Sequence, residues 1–339
     1  MKSSILLFGG KSEERLVSVA SAQNMARQFD FAEIWFLHKN GSLARVEKAE
    51  LLAHQKIFEV EFETFEEPFA KSVSEALPRL KDSSVFLALH GTEGEDGTLQ
   101  KILEDAKVAF TGSGSVSSRN AFLKDISKSI VTKKGVPVAP QMMVNHSNAN
   151  ELKSSITRFY QEHKKIVLKP LANGSSIGLH IIQDTESLER ALNALASNPY
   201  GDYLAEKFLE GRELTVGILQ SETGLVALPP SEVILSKGHS FDYHGKYLGR
   251  GTTEITPAEL SPSEVAAVQA LAKTAHQALQ CYGYSRTDII LTPMGPVFLE
   301  TNTLPGLSKA SFVPQQLAAA GISFQNFIEM QLKLAEARA

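Results

Sequence analysis

Apolar and polar positions along the chain switch repeatedly between two spacings. Ile5-Leu-Leu-Phe8 is a short continuous apolar run closed by Gly9-Gly10, and Ser18 to Gln28 follows with helical spacing. Ile34-Trp-Phe-Leu37 and Val85-Phe-Leu-Ala-Leu89 repeat the short run, the second stopping at His90-Gly91. Apolar runs of strand length separated by helical stretches are the pattern of a parallel sheet covered by helices. The opening of the chain therefore predicts a Rossmann-like α/β domain.

The pattern changes after Thr111-Gly-Ser-Gly114. A helix is expected from near Val116 through Lys124 and Lys128, and Gly135-Val-Pro-Val-Ala-Pro140 breaks it. Ile166-Val-Leu-Lys169 reads as a strand leading into the loop Asn173-Gly174-Ser175-Ser176, then come the strand Leu179-His-Ile-Ile182 and a helix from Thr185 to about Ala196. Tyr203-Leu-Ala-Glu206-Lys207-Phe208-Leu209 begins a further unit, in which Glu213 to Leu219 forms a strand. Residues 242–256 lack periodicity, hold Gly245, Gly249 and Gly251, and read as a long mobile loop of the functional kind. The expected division is an N-terminal domain at 1–112, a central subdomain at 113–206 and a C-terminal subdomain at 207–339.

Composition narrows the class. The chain has 339 residues, 43% hydrophobic and 21% charged, enough for two or three domains with sizeable cores. Its net charge of -4 and lack of any basic run give no electrostatic reason to expect nucleic acid or membrane as partners. One cysteine, Cys281, rules out an intramolecular disulfide and a multi-cysteine metal site. The N-terminal apolar run is too short for a signal peptide or a spanning helix, so a cytoplasmic enzyme is expected.

Candidate chemistry concentrates near the C-terminus. Asp288 opens an apolar run, Pro293-Met-Gly295-Pro reads as a turn, and Val297-Phe-Leu-Glu300 returns, which predicts a β-hairpin. Glu300 and Asn302 then share a face, and with Asp288 they offer the carboxylate and amide oxygens that hard divalent ions take. Spacing alone leaves open that the carboxylates are solvated strand ends and Asn302 a turn former. Arg286 adds a guanidinium beside them. Upstream, the loop at 173–176 follows Lys169, an arrangement that can converge N–H groups, hydroxyls and an ammonium on phosphate. The familiar nucleotide motifs fail. A P-loop ending at Gly10-Lys11-Ser12 would need a glycine at Ile5, and Ser117 occupies the last glycine position of a dinucleotide motif begun at Gly112.

A longer ordered set carries more information than any of these. Phe8-Gly-Gly-Lys-Ser-Glu-Glu14, Leu89-His90-Gly-Thr-Glu-Gly-Glu-Asp-Gly-Thr-Leu-Gln100, Val167-Leu-Lys169-Pro and Gly174-Ser-Ser-Ile-Gly178 are followed by Glu210-Gly-Arg-Glu-Leu-Thr215 and Asp242-Tyr-His-Gly-Lys246-Tyr247. The set ends with Glu300-Thr-Asn302-Thr-Leu-Pro-Gly306-Leu-Ser-Lys-Ala-Ser311. In order and spacing these resemble the ATP-grasp superfamily and, within it, the D-alanine–D-alanine ligases, over nearly the whole chain.

The resemblance implies ATP-dependent joining of two D-alanines for peptidoglycan synthesis, through an acyl phosphate, on a three-domain ATP-grasp fold. It implies that Lys124, Lys169, Ser176 and Lys246 serve the ATP phosphates, that Glu206, Lys207, Phe208 and Leu209 form the adenine-side hinge, and that Glu213 binds ribose. Asp288, Glu300 and Asn302 would hold two magnesium ions, for which manganese could substitute. Glu14 would bind the first ammonium with Ser175 and Tyr247 as partners; its neighbour Glu13 competes, but the family register favours Glu14. Arg286 and the Gly306 N–H would stabilise the oxyanion, Ser311 would serve the second carboxylate, and His90 would lie beside the substrates. A homodimer is expected on the same ground.

Several positions depart from the family pattern: Leu16, Leu123, His244-Gly245, Ser308 and Lys309. They bear on lid kinetics and substrate preference, since none removes a group assigned to the chemistry. Two other readings remain at this point. One is an ATP-grasp ligase for different amino acids, because the fold does not choose among them. The other is a non-catalytic nucleotide-binding protein, against which the intact Arg286, Asp288, Glu300 and Asn302 argue.

Overall fold

The structure, a computed structural model, describes residues 2–144, 149–172, 178–196, 201–221, 224–235 and 252–338. The first apolar runs form a five-stranded sheet in the order β3-β2-β1-β4-β5, from β1 (Ser3–Gly9), β2 (Glu33–Leu37), β3 (Leu43–Arg45), β4 (Ser83–Ala88) and β5 (Ala109–Phe110). Strand β1 runs parallel to both β2 and β4, β4 runs parallel to β5, and only β3 is antiparallel. The expected Rossmann-like opening is present. Strand β4 stops at Ala88, two residues before His90, so the His90–Gly91 turn leaves the carboxyl end of the sheet, where open α/β folds place ligands.

A second, four-stranded antiparallel sheet has the order β6-β9-β7-β8, with β6 at Gln141–Val144, β7 at Ile166–Pro170, β8 at His180–Ile182 and β9 at Tyr203–Lys207. The third sheet runs β13-β12-β10-β14-β15, with β11 on β10. Its strands are β10 (Arg212–Ser221), β11 (Gly224–Ala227), β12 (Ser231–Leu235), β13 (Thr252–Ile255), β14 (Tyr284–Thr292) and β15 (Gly295–Asn302). Part of the segment read as loop is thus strand, because Thr252–Ile255 pairs antiparallel with β12. Residues 236–251 lie outside the described residues.

Local differences from the sequence reading have identifiable causes. The helix expected through Lys128 is two helices, Ser115–Phe122 and Lys124–Thr132, broken at Leu123 with φ -84° and ψ 108°. At the break the Lys124 N–H is drawn to the carbonyl of Leu171, 3.2 Å away. This ties the second helix to the end of β7. The apolar sides of both helices pack on the third sheet: Ala121 and Val131 join its apolar cluster with Leu214, Val216 and Phe298. The last helix, Phe324–Arg338, returns to the first sheet, where Phe327, Ile328 and Leu332 enter the core with Phe86 and Leu103. Arg338 completes that docking, donating to the carbonyls of Gly112 (2.7 Å) and Phe110 (2.8 Å). No helix among the described residues is long and apolar enough to cross a membrane.

Candidate active site

The hairpin β14/β15 has a buried and a half-exposed face. In β14, Ser285, Thr287, Ile289 and Leu291 are buried while Arg286 and Asp288 are half-exposed, the alternation that side chains of a strand must show. Arg286 sits opposite Asn302 and Asp288 opposite Glu300, so all four project from one face, and Thr287 and Thr301 share a 2.9 Å hydrogen bond on the other. The register shifts after Asp288, where Ile289 pairs with Phe298. Such a bulge re-aims side chains beside it. The Arg286 guanidinium grips Asp288 through two parallel bonds of 2.9 Å. Asp288 also accepts from Thr215 Oγ1 at 2.6 Å and from Asn302 Nδ2 at 3.3 Å.

After β15 the chain turns through Leu304-Pro305-Gly306-Leu307, and Ser311 begins the helix Phe312–Ala319. Its hydroxyl pairs with that of Ser308 at 2.8 Å rather than capping the helix. From the opposite side comes Glu14, at the start of the helix Arg15–Gln28, whereas Glu13 faces solvent. Glu14, His90, Arg286, Glu300, Asn302, Gly306 and Ser311 line one cavity of about 70 Å³. Asp288 stands behind Arg286 and does not line it.

A second cluster lies where the central sheet meets the hairpin. Glu206, almost wholly buried, is held between Lys128 Nζ at 3.1 Å and Lys169 Nζ at 2.9 Å. Burial alone would raise its carboxyl, but Lys169 and Lys128 outweigh burial and hold it below the usual range. Burial pushes the Lys128 ammonium down to about 8 against the attraction of Glu206. Lys124 Nζ reaches Glu300 Oε2 at 3.4 Å and so connects this cluster to the cavity. Lys207 is exposed, Phe208 lies under the Lys165 ammonium at 3.8 Å, and half-exposed Glu213 faces Ile290 across β10 and β14. Ser175, Ser176, Lys246 and Tyr247 lie outside the described residues.

Two family models match the chain: the D-ala D-ala ligase N-terminus over residues 3–113 and the D-ala D-ala ligase C-terminus over residues 130–333. The chain belongs to the D-alanine–D-alanine ligase family. A D-alanine–D-alanine ligase from Leptospira interrogans is 38% identical over 280 residues, 80% of this chain and 79% of that one. Among solved structures, the VanG D-Ala:D-Ser ligase from Enterococcus faecalis aligns with a TM-score of 0.80 at 27% identity, over 99% of this chain and 100% of that one. A D-alanine–D-alanine ligase from Bacillus anthracis complexed with ATP aligns with a TM-score of 0.74 at 25% identity, over 100% and 98%.

Three further residues, which the sequence does not single out, belong to the cavity wall. Phe58, Glu95 and Glu254 also line it. Glu95 accepts from the N–H groups of Gly91 and Leu304, each at 3.0 Å, and burial, reinforced by Glu14, pushes its carboxyl up to about 7. Burial likewise raises the Glu254 carboxyl, which accepts from Gln315 Nε2 at 3.2 Å. Glu95 lies within the Leu89–Gln100 motif, whose sequence does not show how deeply it is buried. Phe58 and Glu254 lie in segments with no motif. Glu300 and the Asn302 amide on the cavity wall offer oxygens of the kind a hard divalent cation takes, while both Asp288 oxygens are engaged by Arg286, Thr215 and Asn302.

Proposed function

We propose that this chain is an ATP-dependent carboxylate–amine ligase that joins two D-alanines into D-alanyl-D-alanine for peptidoglycan synthesis. The reading rests on the convergence of Glu14 with Arg286, Glu300, Asn302, Gly306 and Ser311 on one cavity, in a chain of this family. A carboxylate oxygen of the first D-alanine attacks the γ-phosphorus of ATP, ADP leaves, and an acyl phosphate forms. The amine of the second D-alanine then adds to that carbonyl carbon, loses a proton, and the tetrahedral intermediate expels phosphate. Both steps gather negative charge in a small space and need positioning more than covalent help.

The residues divide the work accordingly. Glu14 holds the first ammonium. Arg286, held in place by its two bonds to Asp288, faces the developing oxyanion together with the Gly306 N–H. Ser311 takes the second carboxylate. Lys124 and Lys169, with Ser176 and Lys246, serve the phosphates, while Glu206 to Leu209 and Glu213 take adenine and ribose. Ser175 and Tyr247 support Glu14. Magnesium, held by Asp288, Glu300 and Asn302, would neutralise phosphate charge. The division into 1–112, 113–206 and 207–339, a cytoplasmic location and a homodimer are part of the same reading.

The test is phosphate release with ATP, magnesium and single amino acids, followed by mass identification of the products. D-alanine should release phosphate and yield the dipeptide. D-serine and D-lactate belong in the panel because a D-Ala:D-Ser ligase is among the similar structures. L-alanine used as readily as D-alanine, or a dominant product with D-serine or D-lactate in an equimolar mixture, would refute the substrate assignment.

A further inference from the structure

The turn that carries Gly306 is held by the other domain. Leu304 and Leu307, which flank it, are 1% and 0% exposed, and their side chains sit in the core of the first sheet. Their main chains are gripped as well. The Leu304 N–H donates to Glu95 Oε1 at 3.0 Å, and its carbonyl meets His90 Nδ1 at 2.7 Å. The Leu307 N–H donates to Ser21 Oγ at 3.0 Å, and its carbonyl accepts from Asn24 Nδ2 at 2.8 Å. His90 Nε2 and Ser21 Oγ are 2.9 Å apart, which joins the two grips into one chain.

The proton positions follow from what each atom can do. A carbonyl oxygen only accepts, so Nδ1 of His90 carries the hydrogen. In a neutral ring Nε2 then accepts, and its donor is the Ser21 hydroxyl, whose oxygen is left to receive the Leu307 N–H. Burial, the leading influence on the ring, disfavours the charged form and agrees with this tautomer. Both ring nitrogens are thereby committed to structure. Between the two gripped residues lie only Pro305 and Gly306, so little freedom remains in the orientation of the Gly306 N–H.

We propose that His90 is a positioning residue, not a proton carrier. With Ser21, Glu95 and Asn24 it forms a four-point clamp by which the N-terminal domain aims the Gly306 N–H at the reacting carbonyl. The proposal rests on the reading that Gly306 serves the oxyanion.

Comparison of His90→Ala with His90→Asn tests it. An asparagine amide can place an N–H near the Nδ1 position and donate to the Leu304 carbonyl, but it cannot relay a proton. His90→Ala should lower kcat about 10²-fold, the size of loss expected when a reacting group is misplaced by about 1 Å, with KM for ATP changed by less than about twofold. His90→Asn should recover about tenfold or more of the lost kcat. Ser21→Ala cuts the same chain on its other side and should lower kcat in the same direction, whether or not His90→Ala folds. The clamp is overturned if folded His90→Asn is as slow as His90→Ala, if either alanine variant keeps wild-type kcat, or if the loss falls equally on KM for ATP. A failure of the ligase reading looks different, since the wild-type enzyme would then release no phosphate in response to D-alanine.

Discussion

Replacing Gly91 with alanine should damage recognition of the first D-alanine selectively. Gly91 has φ +67°, a left-handed conformation that costs a residue with a Cβ about 1–2 kcal/mol. An added Cβ would lie 2.5 Å from Ser12 Oγ and 2.8 Å from Glu14 Oε2. Restoring ordinary contact at 3.4 Å requires the carboxylate oxygen to retreat by about 0.6 Å. If Glu14 holds an ammonium at about 2.8 Å, lengthening that contact to about 3.4 Å removes about 1 kcal/mol at an effective dielectric constant near 20, or about fivefold in binding. The expected result is a rise of about fivefold to tenfold in KM for the first D-alanine. KM for ATP should be little changed, and thermal unfolding should fall by a few degrees. Steady-state kinetics with each substrate varied in turn would show this. Unchanged D-alanine dependence in a folded Gly91→Ala enzyme, or an equal effect on ATP, would refute the placement of Glu14.

Two further substitutions and one pH series probe other parts of the molecule. Arg286→Lys keeps the charge but loses the paired bonds to Asp288, so kcat should fall about 10²-fold with a much smaller change in KM for ATP; a loss confined to ATP affinity would move Arg286 to the nucleotide. Glu300→Gln removes charge from the donor set and should abolish D-alanine-dependent phosphate release in a folded protein, a result that near-normal turnover would contradict. His276 is buried, with Nδ1 2.7 Å from Ser285 Oγ, and burial depresses its pKa from 6.5 to about 4. The unfolded chain therefore binds this proton more tightly, and the contribution to stability is full above pH 6.5 and lost as pH falls toward about 4. It amounts to about 3 kcal/mol, so unfolding temperatures of His276→Gln should decline less steeply than those of the wild type over that interval.

The parts of the fold with strong local periodicity were legible in the sequence. Strands β1, β2 and β4, the hairpin around Pro293 and the common face of Glu300 and Asn302 all follow from a spacing of two or from short apolar runs. Other features depend on partners distant in sequence. The break at Leu123 is set by the Leu171 carbonyl, which no pattern around Leu123 reveals. Thr252–Ile255 has no run of apolar residues, and it is a strand because β12 offers it an edge. Lys128 looked like one more charge on a helix four residues after Lys124, yet it is fully buried against Glu206, which arrives from β9. The last helix follows all the motifs, and no local pattern in it says that Phe327, Ile328 and Leu332 return to the first sheet.

Those long-range contacts also explain how the site is assembled mechanically. Glu14 and His90 belong to the first domain, and Gly306 and Ser311 to the chain that follows the third sheet. Leu304, Leu307 and the last helix bury apolar surface across that seam, while Glu95, His90, Ser21 and Asn24 satisfy its main-chain groups. Apolar burial supplies strength there and the hydrogen bonds supply orientation, so the side of the cavity formed by Glu14, His90 and Gly306 behaves as one block. Among the described residues, the helix of Lys124 and Lys128 is built into the third sheet through Val131 and the Lys124–Glu300 pair, and it meets the second sheet through polar contacts that include Lys128 with Glu206 and the Lys124 N–H with the Leu171 carbonyl. Lys169 is tied to the same contacts through Glu206, which it shares with Lys128. On the proposed reading, small displacements of the second sheet should therefore alter KM for ATP more than KM for the first D-alanine, because Lys169 and Glu206 move with that sheet while Glu14 and Gly306 stay in the block formed with His90.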